Sequence, residues 1–221
     1  MPRNYYNLLL KELRNQVAYL ANMIETAIQG AMDAMAEQDI EKAEMICRGD
    51  DMIDDQMHMI ERQCFSLLLR QQPVAKDLRE VSAALEMIRD MERIGDHAED
   101  ISELTILMAG TPYPETIKTV EKMAQKVISM LKESVDAYLN ENSKKAEWVI
   151  EEDDAADTMF DAIKGSIAEL IRTGTSDAEQ ALDILMTAKY LERIGDHATN
   201  IAEWALYSMT GDLPNSKKEE E

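Results

Sequence analysis

Carboxylates recur in this chain at a spacing suited to holding a cation. The heptapeptide Glu-Arg-Ile-Gly-Asp-His-Ala occurs at 92–98 and again at 192–198, so Glu92/Asp96 and Glu192/Asp196 each stand four residues apart. On a helix that spacing puts both acids on one face, a turn apart. Asp50/Asp54 and Asp153/Asp157 repeat the pattern upstream of each heptapeptide. Asp50 falls on the apolar line of its segment, four after Ile46 and three before Ile53, and Asp54, Glu92 and Asp96 flank that line. Carboxylates on or beside a core stripe are costly to bury unpaired. Two helices that bring them together form an oxygen cage for a hard cation. The competing explanation is a solvated acidic face, which is the ordinary reading of any one such pair. Recurrence of the pairs in both halves favours the cage.

The donor set narrows the ion without naming it. No Cys or His set has zinc-finger spacing, and no helix carries Glu-x-x-His, the mark of ferritin-like di-iron bundles. All-oxygen ligation admits magnesium, manganese, iron or calcium, and zinc if a histidine joins. His97 and His197 follow the aspartate of each copy, about 100° further round the helix, and are expected to hydrogen-bond neighbouring helices rather than ligate. The halves differ at one rung. Asp100 extends the first ladder, and its counterpart Asn200 is neutral, so the first half is expected to hold a cation more tightly. Gly95 and Gly195 sit mid-helix, where Gly costs about 1 kcal/mol relative to Ala; close approach of a facing helix, metal or partner would account for both.

The elements that carry these acids are all helical. Eight Gly, five Pro and two Phe stand against sixteen Met and many Leu, Ile, Ala, Glu and Lys, a vocabulary of helix formers. Apolar residues at three-to-four spacing predict six helices, over about 6–37, 40–70, 74–109, 115–139, 144–172 and 177–209, with Ser176 as N-cap and Glu179 as its capping-box partner for the last. Leu78 stands on the apolar line of the third. Pairs one hundred residues apart (Arg89/Lys189, Ile101/Ile201, Glu103/Glu203), and pairs 103 apart in the preceding helices, mark a duplication. The breaker run Gly110-Thr111-Pro112-Tyr113-Pro114 divides the halves. The expected architecture is all-α: two tandem three-helix bundles of long helices, at 1–110 and 115–210, related by an internal pseudo-twofold, with a charged, frayed tail at 211–221.

A formal charge of −21, from 44 acidic and 23 basic residues, opposes direct binding to nucleic acid or an anionic bilayer. It suits multivalent cations or a basic patch on a partner protein. Cys47 and Cys64 share one helix, about 25 Å apart at 1.5 Å per residue, too far for a disulfide, and read as small buried apolar residues in a reducing compartment. The start of the chain has no secretory signal pattern, and no apolar run approaches spanning length. A cytoplasmic protein is expected. An enzyme would need an open coordination position and a substrate pocket; the sequence marks neither, nor a Ser or Cys nucleophile paired with His.

Over essentially its whole length the chain resembles the PhoU family. The resemblance rests on the tandem three-helix repeats, on Leu-Leu-Leu-Arg-Gln-Gln-Pro-Val-Ala-Lys-Asp-Leu-Arg at 67–79 and on Leu-Glu-Arg-Ile-Gly-Asp-His-Ala at 191–198, whose first-half counterpart begins with Met91. The family's Glu/Asp-x-x-x-Asp motifs match Asp50/Asp54, Glu92/Asp96, Asp96/Asp100, Asp153/Asp157 and Glu192/Asp196, with a departure at Asn200. The resemblance implies a non-enzymatic cytoplasmic regulator of phosphate homeostasis, commonly a homodimer. It would link the phosphate ABC transporter, through its ATPase subunit, to a sensor histidine kinase, and repress the phosphate-starvation response when phosphate is plentiful. It also implies metal at the acidic motifs in some members and little or none in others, and a membrane location reached only through protein partners. Service to another ion permease, or a metal-free helical scaffold, are the alternatives.

Overall fold

A computed structural model describes residues 3–71, 73, 75–175 and 177–212. Among the described residues there are six helices: α1 (Arg3–Glu37), α2 (Ile40–Gln71), α3 (Lys76–Met108), α4 (Ile117–Leu139), α5 (Ser143–Thr173) and α6 (Ala178–Thr210). The apolar stripes account for their burial. In α1, Leu13, Val17, Leu20, Ile24 and Ile28 are all fully buried at the spacing of one helical face. Leu78 departs from its stripe and is exposed, because it lies in the first turn of α3, beyond the reach of the packed partners.

Local chemistry sets the ends. The Asp39 carboxylate accepts from the Lys42 amide at 3.0 Å to open α2, and the Asn142 side chain accepts from the Lys145 amide to open α5. Gly174 and Gly211 close α5 and α6 in the left-handed conformation that L side chains avoid. Asp177, not Ser176, is the N-cap of α6; its carboxylate accepts from the Glu179 and Gln180 amides, one residue nearer the helix and a stronger acceptor than a hydroxyl. Ser176 itself lies outside the described residues, as do Gln72 and Val74 and the tail from 213 onward.

Helices α1–α3 pack on one another as one bundle and α4–α6 as the second, and the bundles join side by side through α3 on α6 and α1 on α4. Both joints are antiparallel. His97 meets Tyr190 while His197 meets Asp90, and Glu25 meets Lys132 while Arg14 meets Glu141. Among the described residues, α2 and α5 touch only their own bundles. A buried acid shows what satisfied burial looks like here: Glu80, 5 % exposed, accepts from Arg14 Nε at 2.7 Å, and its backbone carbonyl accepts from the Tyr138 hydroxyl at 3.2 Å.

Candidate metal centre

In the first bundle α2 and α3 bring three carboxylates together. One oxygen from each of Asp50, Asp54 and Asp96 lies within 4.8 Å of the other two. Oxygens that ligate one hard cation at about 2.0–2.6 Å stand at most about 5 Å apart, so the three fit a single ion. Asp50 Oδ1 and Asp54 Oδ1 are buried, and neither has a hydrogen-bond partner among the described residues. Leaving such atoms unsatisfied costs free energy, and a cation is the group that would satisfy both at once.

The electrostatics agree. Burial, then the charges of Glu99, Asp54, Asp96 and Glu92, push the Asp50 carboxyl up to about 7. Glu92 is pushed up by burial and by Asp96, with Arg93 opposing. The counter-charge within reach is Arg93, whose guanidinium reaches Asp96 at 2.8 Å and Glu92 at 3.5 Å but is itself 61 % exposed. It lies at the rim and can swing into solvent. Gly95 explains how α2 comes so close: a Cβ there would lie 3.0 Å from Ile53 Cγ2 and 3.3 Å from Asp50 Oδ1.

Asp100 is not with the other three. Its carboxylate lies 3.1 Å from His97 Nδ1, toward the α3–α6 seam, where the His97 ring stacks on Tyr190 with centroids 5.4 Å apart. Burial holds the His97 imidazole below its usual range. Asn200 likewise turns to the seam, donating to Asp90 Oδ1 at 3.1 Å beside His197 Nδ1 at 2.8 Å. Both histidines hold the two bundles together.

In the second bundle Asp153, Asp157, Glu192 and Asp196 face one another across α5 and α6. Burial, followed by Glu192, Asp153 and Asp157, raises the Asp196 carboxyl, and burial with Asp153 raises Asp157. This cluster has its own counter-charge. The Lys189 ammonium pairs with Glu192 and opposes both shifts, and Thr199 Oγ1 donates to Asp153 at 3.1 Å. Around Gly195 the packing is ordinary, with a Cβ 3.5 Å or more from Val127, Ala156 and Met130.

Three residues outside the i, i+4 ladders therefore shape the sites: Glu99, Lys189 and Thr199. A comparison of the two copies position by position could have found them, since Glu99 aligns with Thr199, and Arg89, which pairs instead with Glu86 at 3.5 Å, aligns with Lys189. Cys47 is half-buried rather than buried, with its thiol 4.0 Å from the Glu99 carbonyl; Cys64 is fully buried, and its thiol is pushed up to about 12.

Duplicated three-helix bundles with acid pairs presented from adjoining helices define an all-α, carboxylate-bearing class of protein. The PhoU domain model matches residues 17–105 and 120–205, and the chain belongs to the PhoU family. It is 36% identical over 212 residues to the phosphate-specific transport system accessory protein PhoU homolog of Clostridium acetobutylicum, covering 96% of this chain and 97% of that one. The Aquifex aeolicus homolog of the same description is 33% identical, with 92% of each chain covered. The crystal structure of PhoU from Pseudomonas aeruginosa superposes with a TM-score of 0.89 at 27% identity, over 94% of this chain and 100% of that one. The phosphate transport system regulatory protein PhoU from Streptococcus pneumoniae gives the same score and identity, over 95% and 99%.

Proposed function

We propose that this protein is a non-enzymatic accessory regulator of phosphate-specific transport. In this reading it acts as a homodimer that links the ATPase subunit of the phosphate ABC transporter to a membrane sensor histidine kinase and represses the phosphate-starvation response when phosphate is plentiful. The observation that carries the reading is similarity across 96% of the chain to a relative named as an accessory protein of that transport system. No helix among the described residues is long and apolar enough to cross a membrane, so contact with membrane machinery would run through protein partners.

Asp50, Asp54 and Asp96, with Glu92 beside them, would hold a hard cation between α2 and α3. Bound there, the ion supplies the positive charge that the two orphaned oxygens lack. The residues themselves set the outcome: Gly95 and Ile53 fix how closely α2 lies on α3, and neutralised acids let that contact tighten. The division at 1–110 and 115–210 then has a functional sense, with one bundle responsive to cations and the other carrying its cation internally. The test pairs Glu92→Ala with Asp96→Ala in one protein. The expected result is loss of bound metal and of phosphate-responsive repression together; unchanged metal content and unchanged repression would overturn the reading.

A further inference from the structure

The two outward helices of the duplication differ in what they show to solvent. On α2, Met45, Met52 and Met59 are 70, 63 and 49 % exposed. Seven-residue spacing aligns them within about 20° of one line at 100° per residue. The counterparts on α5, 103 residues on, are Trp148, Ala155 and Ala162. Tyr19 of α1, 54 % exposed, lies one turn beyond the Gln16–Gln56 hydrogen bond that ties α1 to α2, and so extends the apolar strip beside Met52. Exposed methionines are adaptable packing surfaces, and a strip of them on an otherwise acidic protein marks an interaction face.

The charges beside the strip identify its occupant. Arg48, Asp55, Arg62, Glu41 and Glu44 all fall on the same flank of the methionine line, within about 80° of it at 100° per residue. Their order reads as its own complement about Met52. Under a twofold axis at Met52 that sets two α2 helices antiparallel, Met52 meets its own copy, Met45 meets Met59, Arg48 comes level with Asp55, and Arg62 comes level with Glu41 and Glu44. Such an axis brings like flank to like flank, so each pairing joins opposite signs. Within one chain Arg48 pairs only with Glu44 at 2.7 Å, both well exposed, and Asp55 and Arg62 form no ion pair among the described residues. A contact between copies of one patch must be self-complementary; the charges nearest the methionine line are, and the exposed Asp51, further round the same flank, is the one acid that comes level with its own copy.

We infer that the α2 outer face, from Glu41 to Arg62, is a self-association surface, docked antiparallel on a second copy of this chain. The strip is about 32 Å long at 1.5 Å per residue. With α1 alongside it covers on the order of 640 Å², close to the roughly 800 Å² per partner of a stable interface. The inference rests on the homodimer in the reading above and names its face.

Sedimentation of the full chain tests it, with circular dichroism to confirm helix content. The wild type is expected to be a dimer, Met52→Glu to weaken association at least tenfold, Arg48→Asp to weaken it severalfold, and Arg48→Asp combined with Asp55→Arg to recover wild-type association. That recovery keeps the test decisive even if Met52→Glu perturbs folding. A dimer indifferent to all three variants overturns the face and leaves the homodimer standing. A chain that stays monomeric at tens of micromolar overturns both. Neither result touches the metal and repression test, which reads different residues.

Discussion

Around Asp50 the first bundle gathers Asp54, Glu92, Asp96 and Glu99, with the exposed Arg93 at the rim as counter-charge, and two buried carboxylate oxygens have no partner among the described residues. Around Asp157 the second bundle gathers the same ladder of acids, but Lys189 is paired with Glu192 and Thr199 bonds Asp153. One repeated pattern thus meets its counter-charge in two ways, from a guanidinium at the rim in the first bundle and from a lysine paired inside the cluster in the second. Under the proposed reading the first cluster would draw further charge from solution and so respond to conditions, whereas the second would carry its charge on Lys189. The substitutions responsible lie off the ladder, where Thr199 stands opposite Glu99 and Lys189 opposite Arg89, so preserving the motif has not preserved the electrostatics.

That contrast can be broken most decisively at the acids. Asp50→Asn with Asp96→Asn is expected to weaken the tightest cation site at least a hundredfold, read by titration calorimetry with manganese or iron. Asp157→Asn with Asp196→Asn should leave that site within about threefold. Equal losses from both pairs would show that the halves are equivalent.

Acidity should separate the halves next. A ligand must be deprotonated to bind, and the Asp50 carboxyl is pushed up to about 7. Affinity in the first half is therefore expected to climb up to about tenfold per pH unit from roughly 5 to 7 and then level off. Stability of the metal-free protein should run the other way. The folded Asp50 holds its proton to higher pH than the unfolded chain does, so this group's contribution falls as pH rises from about 4 to about 7. Added metal should flatten that decline, as thermal unfolding across the range would register.

Removing the built-in cation gives a smaller effect. Lys189→Met is expected to destabilise the metal-free fold by about 1–2 kcal/mol, discounted for the 38 % exposure of the lysine, and to raise cation affinity in the second half about tenfold. A stable variant with no new binding would mean that Lys189 does not neutralise that cluster. The smallest effect is at the glycines. Gly195→Ala, with ordinary contact space, should gain about 0.5–1 kcal/mol from helix propensity. Gly95→Ala should lose that gain, because its Cβ meets Ile53 at 3.0 Å and Asp50 at 3.3 Å, and should weaken metal binding as well. Denaturant titration of the two side by side reads the difference.

Much of the fold was legible from residue order. Apolar spacing located six helices to within a few residues, and the breaker run at 110–114 falls in the connection between α3 and α4. The placement of Asp50 on an apolar line foretold a carboxylate at the edge of a core, and its burial follows from that line. Less legible were the partners of the acids. Asp100 looked like a third rung after Glu92 and Asp96, yet pairs with His97. Asn200 looked like a missing ligand, yet donates to Asp90 more than a hundred residues away. Helix α3 packs on α1, α2 and α6 at once, and the sequence pattern of one helix does not name which neighbour a flanking residue will meet.

Sequence by itself determined the helices, their apolar faces, the duplication and the acid ladders, because each is a periodicity that a single rod expresses locally. Only tertiary structure decided which rungs converge, since convergence depends on how far each helix is rotated about its axis and on the antiparallel register of α2 on α3 and α3 on α6. Those are set by packing between residues far apart in the chain, such as Gly95 against Ile53 and His197 against Asp90, and contacts of that kind leave no period to be read.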